Sequence, residues 1–299
     1  MKRQYHRAPP TLCALALTAF LAHAADPAPP KGTPAPAAPE ANAAPIAAPI
    51  AAAAPAQLYV CTYGRSKFPE NFAFQDGRKD ASVDLAWSFY VARSGSEVTL
   101  IDTGFSAPVI AKQWYVTHTR TPTELLADLK ITPDQVTRIL ITHIHFDHIS
   151  DLPLYPRAQI IISRRSRDDY LSGKPLGGVM FDPLITAILK DPARTHVVDT
   201  RETLPGGLDF EVIGGHTAGS AVVHLQHAGV HHVLAGDECY LCANATQQRP
   251  IGRTFNPPLN LALLHRLADP AIVVLPCHDL TLLTRYPAVT PNIARIFGE

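Results

Sequence analysis

The segment LITHIHFDHISDLP, residues 140–153, places His143, His145, Asp147 and His148 within six positions. Two histidines one residue apart on a loop can aim at a single cation. An aspartate and a histidine side by side, starting two residues later, can aim at a neighbouring one. Neutral imidazole together with carboxylate suits zinc or a similarly borderline divalent ion. Three more residues of these types stand at the ends of apolar runs: His216 in GGHTAGS, Asp237 in LAGDECY and His278 in LPCHD. Loops at one edge of a sheet sandwich can bring such ends together.

The elements around these residues are legible from pattern. TRILIT (137–142) is a short β-branched run, expected as a buried strand, so the histidine cluster sits on a loop leaving a strand end. AQIIIS, LDFEVIGG and AIVVLPCHD read as further strands, as do YVCTYG, LAWSFYVARSG and SEVTLIDTG. SAVVHLQHAGVHHVLAGD reads as a hairpin turning at Ala228–Gly229. In TPTELLADLK, Thr121 is placed to cap a helix, with Pro122 at its first position and Glu124 completing a capping box. DPLITAILK and NPPLNLALLHRLADP start helices in the same way, and RRSRDDYL reads as a charged, exposed helix. Strands with interspersed helices, hairpins included, fit an α/β arrangement of sheets sandwiched by helices better than a doubly wound parallel sheet.

Residues 1–24 have the layout of a secretory signal peptide. Lys2, Arg3 and Arg7 precede the apolar run TLCALALTAFLA, and AHA ends it. That run is too short to span a bilayer, so no stable membrane span is expected once the signal is removed. Residues 25–57 are almost entirely Ala and Pro and read as a disordered linker. Residues 58–299 remain for one domain, large enough to bury a sizeable core. An exported chain, periplasmic or secreted, is the expectation. The full chain has 26 basic and 26 acidic residues, and nothing basic invites nucleic acid. Cys61, Cys239, Cys242 and Cys277 are too few for a disulfide scaffold in a domain of this size. A bridge from Cys239 or Cys242 to Cys277, joining two ligand loops, is one expectation for them.

In its order of ligands the chain resembles the metallo-β-lactamase-fold hydrolases. His143-x-His145-x-Asp147-His148, His216, Asp237 and His278 match that family's seven ligand positions, and IDTG at 101–104 matches its strand-end aspartate. The resemblance implies an αββα sandwich over residues 58 to about 285. It implies two zinc or similar divalent ions: one held by His143, His145 and His216, the other by Asp147, His148 and His278, with Asp237 bridging. Asp102 would orient a ligand histidine. His145 stands where diiron oxygen-reducing members carry a carboxylate, which favours hydrolysis over redox chemistry.

Within the family, HFDH with Phe146, and Asp237 followed by Tyr240, are similar to the N-acyl-homoserine lactonase branch. That similarity implies lactone opening by metal-bound hydroxide. Tyr240 would steady the oxyanion, Asp147 would pass a proton to the leaving oxygen, and Phe146 would line the substrate pocket. The substrate class is thus a small-molecule ester or lactone. The export signal keeps a periplasmic zinc β-lactamase of the three-histidine type open, although a bridging Asp237 argues against it. A thioester hydrolase of the glyoxalase II type would need a C-terminal substrate domain for which there is little chain left. A metal-binding protein without turnover is the non-enzyme alternative.

Trp87, Phe89, Trp114 and Tyr115 are further residues for an apolar pocket, although a core role is the stronger reading for each. Residues 106–120 could form a lid. His224, His227, His231 and His232 fall on the hairpin and are expected to be solvated; His118, His196 and His265 have no partner motif.

Overall fold

The computed structural model describes residues 55–298. The expected signal over 1–24 and all but the last three residues of the expected linker lie outside the described residues. Fourteen strands follow: β1 (Gln57–Pro69), β2 (Ser82–Ser94), β3 (Glu97–Ile101), β4 (Thr117–His118), β5 (Arg138–Ile141), β6 (Gln159–Ser163), β7 (Thr195–Val198), β8 (Arg201–Leu204), β9 (Leu208–Val212), β10 (Ala221–His227), β11 (Val230–Gly236), β12 (Ile272–Pro276), β13 (Ala288–Thr290) and β14 (Ile293–Phe297). They form two sheets. One runs β13-β14-β1-β2-β3-β5-β6-β7, with β4 paired on β1; the other runs β12-β11-β10-β9-β8.

Period-2 alternation assigns the side chains to three apolar layers. On β5 and β6, Leu140 and Ile161 face the space between the sheets, where they meet Phe210, Val223, Leu234 and Leu275 of the second sheet. Their neighbours Ile139, Ile141, Ile160 and Ile162 point the other way. There they pack with Leu125 and Leu126 of helix Pro122–Asp128 and with Ile185 and Leu189 of helix Pro183–Lys190. On the far side, Val222, Val233 and Ala235 cover Leu263, Leu264 and Leu267 of helix Pro257–Leu267. The result is the expected αββα sandwich. Both sheets are buried on both faces, which is why their strands read as continuous apolar runs.

The local expectations hold at the helix starts. The Thr121 hydroxyl accepts from Glu124 N, and a Glu124 carboxylate oxygen accepts from Thr121 N at 2.7 Å. Asp182 and Asn256 cap the next two predicted helices. The β10–β11 turn has Ala228 and Gly229 at φ 50° and 79°, the two left-handed residues a tight hairpin requires. RRSRDDYL is a helix, but Ser166 and Tyr170 on it are buried. Residues 106–120 are pinned rather than free: helix Pro108–Gln113 is followed by β4, which pairs with β1.

Two expectations are corrected. All four described cysteines are free thiols. Cys239 lies in a different apolar layer from Cys277, and Cys242, which packs against the Cys277 layer, turns its Sγ towards the Val274 carbonyl at 3.9 Å. The hairpin histidines are not all solvated either: His224 and His232 are buried. His224 Nε2 lies 2.7 Å from Glu211 Oε2, its Nδ1 lies 3.1 Å from His231 Nε2, and Arg266 donates to both Glu211 oxygens. The helix Pro257–Leu267 brings Arg266 over the hairpin, a neighbour no hairpin pattern could reveal.

Burial, then the His224 charge, pull His231 down to about 4. Burial would raise Glu211, but His224 and Arg266 outweigh it and hold it at about 2. Both groups bind protons more readily once the chain unfolds, so stability is lost as pH falls. Urea midpoints should decline from about pH 6.5 towards 4 through His231, and further below about 4.5 through Glu211. His231→Gln should flatten the upper limb; an unchanged pH profile would count against this network.

Candidate metal centre

β3 and β5 run parallel to each other in one sheet, and β11 and β12 in the other. Their carboxyl ends open on one edge of the sandwich and deliver Asp102, the His143–His148 loop, Asp237 and His278. The two sheets meet just behind this edge, where Ala221 N donates to Thr142 O at 2.9 Å. Gly236, at φ 50°, has no room for a side chain, since a Cβ there would sit 2.9 Å from Thr142 Oγ1. That contact lets Asp237 approach the histidine loop.

All seven residues expected to bind metal come together in two overlapping groups. His143, His145, His216 and Asp237 have one donor atom each within 4.8 Å of one another, as do Asp147, His148, Asp237 and His278. Asp237 divides its oxygens between the groups. Oδ2 lies 3.4 Å from His216 Nε2 and 3.6 Å from His143 Nε2; Oδ1 lies 3.0 Å from His278 Nε2 and 3.1 Å from His148 Nε2. His145 turns Nδ1 inward, 3.1 Å from His216 Nε2. His148 Nε2 is also 3.1 Å from Asp147 Oδ2.

The opposite nitrogens are held from behind. Asp102, at φ 65°, turns its carboxylate under the loop. Oδ2 is 2.7 Å from His148 Nδ1, while Oδ1 and Oδ2 accept from Thr142 N and Oγ1 at 2.7 and 2.8 Å. His216 Nδ1 meets the Arg253 carbonyl at 2.8 Å, and His278 Nδ1 the Ala86 carbonyl at 2.7 Å. Such contacts select the tautomer that leaves Nε2 free for a cation. His143 Nε2 is buried without a hydrogen-bond partner, and His148 Nε2, although 3.1 Å from two carboxylate oxygens, is aligned to bond neither. A buried nitrogen so placed is unfavourable in a packed protein, and a cation would satisfy both.

The electrostatics agree. Burial, then the His148 charge, draw His143 well below the usual imidazole range, and burial with His216 draws His145 down to about 3. Burial also opposes charge on His148, but Asp147, Asp237 and Asp102 overcome it and raise it well above the usual value. Burial alone would lift Asp237; His148, His278 and His143 hold it well below the carboxylate range. Two ionised carboxylates and a set of imidazoles aimed at one volume fit divalent metal, which replaces the protons such a cluster otherwise retains.

Phe146 and Tyr240 flank this centre. Phe146 is buried against Trp87, Phe105 and Trp114, the last stacked at 4.3 Å, and its N donates to the Gly178 carbonyl at 2.8 Å. Trp87 also meets the His278 ring edge-on at 5.2 Å. Phe89 is fully buried in the core, while Tyr115 is exposed. The Tyr240 ring lies 5.7 Å from His216 and 5.4 Å from His278. Burial, then Asp237 and Asp147, push its hydroxyl well above the usual phenol range, with Arg253 opposing.

Pattern reading missed Glu238. It is fully buried beside Asp237. Oε1 accepts from Gly215 N at 2.8 Å, His216 N at 2.9 Å and the Ser220 hydroxyl; Oε2 accepts from Asn260 Nδ2 at 3.0 Å. It thereby sets the loop carrying His216. The available signal was an acidic residue inside the apolar run VLAGDECYLC. Asp102→Asn and Glu238→Gln should each weaken zinc binding by about 10- to 100-fold, as losses of such supporting contacts do. Competition against a chelating dye, with circular dichroism confirming the fold, measures this; unchanged affinity would remove the positioning role.

A family model described as the metallo-beta-lactamase superfamily matches residues 83–278. No curated protein sequence matches at a significant level. Among solved structures, a quorum-quenching N-acyl homoserine lactone lactonase is similar at 18% identity and TM-score 0.65, covering 76% of this chain and 93% of its own. A mutant of B. thuringiensis AiiA, with N-decanoyl-L-homoserine bound at the active site, is 16% identical at TM-score 0.65, covering 78% and 96%. AidC, a dizinc quorum-quenching lactonase, is 18% identical at TM-score 0.59, covering 81% and 94%. At such identities the likeness is one of fold, and it coincides with the sandwich and ligand edge described above. The chain belongs to the metallo-β-lactamase superfamily of metallo-hydrolases.

Proposed function

We propose that this protein is an exported dizinc lactonase, opening a lactone ring such as that of an N-acyl-homoserine lactone. The observation that carries the reading is the place of Tyr240, packed between His216 and His278 three residues after the shared Asp237. The lactonases among its structural neighbours add support. His143, His145 and His216 would hold one cation, Asp147, His148 and His278 the other, and Asp237 both. When bound, the cations supply Lewis acidity that activates water and polarises an acyl carbonyl.

The chain's own groups do the rest. Its hydroxyl kept protonated, Tyr240 donates a hydrogen bond to the carbonyl oxygen as negative charge develops there. Asp147 is held ionised: burial opposes this, but His148 outweighs it. It relays a proton from the attacking water to the ring oxygen as the acyl C–O bond breaks. Trp87, Phe105, Trp114 and Phe146 keep an apolar wall beside the centre, which strengthens these interactions by excluding water. The product is a hydroxy acid.

Zinc-loaded protein should open N-hexanoyl-homoserine lactone with a higher kcat/KM than it shows on nitrocefin or a thioester; the reverse ranking would overturn the reading. Metal analysis should return about two ions per chain, and fewer for Asp237→Ala. Tyr240→Phe should lower kcat by about 10²-fold, the usual loss for one oxyanion donor. If kcat is instead unchanged, Tyr240 is a packing residue.

A further inference from the structure

The loop at 249–256 carries two arginines with opposite fates. Arg249 is engaged with the protein: it forms ion pairs with Asp76 and Glu70 and lies 3.8 Å from the Phe74 ring centroid. Arg253 is not. Its backbone carbonyl holds His216 Nδ1, so the residue is fixed at the rim of the metal centre. Among the described residues its guanidinium has no carboxylate and no hydrogen-bond acceptor, and its Nε is buried without a partner. The guanidinium lies 5.8 Å from the Phe72 ring centroid, and Phe72 packs on Tyr240 with ring centroids 5.4 Å apart. One aromatic ring therefore separates this charge from the tyrosine assigned to the reacting carbonyl.

A partly buried guanidinium without an anion is unfavourable unless something else satisfies it. Its planar fork matches a carboxylate, with two parallel hydrogen bonds. We propose that Arg253 is a specificity residue, which selects lactone or ester substrates carrying a carboxylate away from the scissile bond. The inference rests on the hydrolytic reading of the same centre and names the class of substrate it prefers. Neutral substrates would leave the guanidinium unpaired, and a site with an unsatisfied buried donor discriminates against them.

N-Hexanoyl- and N-adipoyl-homoserine lactone differ only in a methyl or carboxylate terminus on a six-carbon chain. Zinc-loaded wild type should favour the adipoyl compound by about tenfold or more in kcat/KM, chiefly through KM. Arg253→Met should bring the ratio towards one, and Arg253→Lys should restore part of it. High salt should shrink the preference. A wild type without preference, or a preference that survives in Arg253→Met, would overturn the proposal. Calorimetry of adipate against hexanoate on the same zinc-loaded proteins reads Arg253 without turnover. If neither lactone opens but adipate binding is stronger and depends on Arg253, the lactonase reading fails and the role of Arg253 stands. Equal binding of the two acids would reject that role.

Discussion

Five imidazoles and two carboxylates converge at one edge of the sandwich, largely out of water. Burying such groups is unfavourable unless each is paired or shares a cation, and much of the surrounding structure serves that requirement. Asp102 and the Arg253 and Ala86 carbonyls occupy the rear nitrogens, so that the front nitrogens remain aimed inward. Glu238 collects the amides of the His216 loop. Without these supports, like-charged groups a few ångströms apart would separate.

The supports are effective because the frame beneath them is stiff. Three apolar layers pack both faces of both sheets, and the ligands leave from strand ends where the backbone is already hydrogen-bonded. The Gly236–Thr142 contact shows how narrow the tolerance is: a Cβ at Gly236, the residue before Asp237, would sit 2.9 Å from Thr142 Oγ1. Positioning by a rigid scaffold, with chemistry confined to the loops, is how one fold supports many substrates.

Substrate choice then falls to the residues around the metal edge. Trp87 and Tyr240 both pack on the His278 ring; Phe146 and Trp114 continue from Trp87, and Phe72 leads from Tyr240 to Arg253. The strand ends fix the ligands, whereas the residues around them set aromatic and cationic groups beside the centre.

Much of this was legible in the linear order of residues. The short apolar runs RILI and QIIIS, the caps at Thr121, Asp182 and Asn256, and the ligand spacing of HIHFDH depend on neighbours within a few positions, where local physics dominates. Asp237, His216 and His278 were readable because each residue type is unusual at the end of an apolar strand. What only the tertiary structure decided involves partners far apart in the chain. Glu238 clamps a loop that lies well upstream of it, Arg266 from a distant helix covers the His224–Glu211 pair, and layer assignment keeps Cys239 from Cys277. Arg249 and Arg253 differ in the carboxylates and rings that the folded chain brings near them. Composition and spacing carry residue types; pairing, burial and solitude are properties of three-dimensional neighbourhoods and arise only when the sheets close.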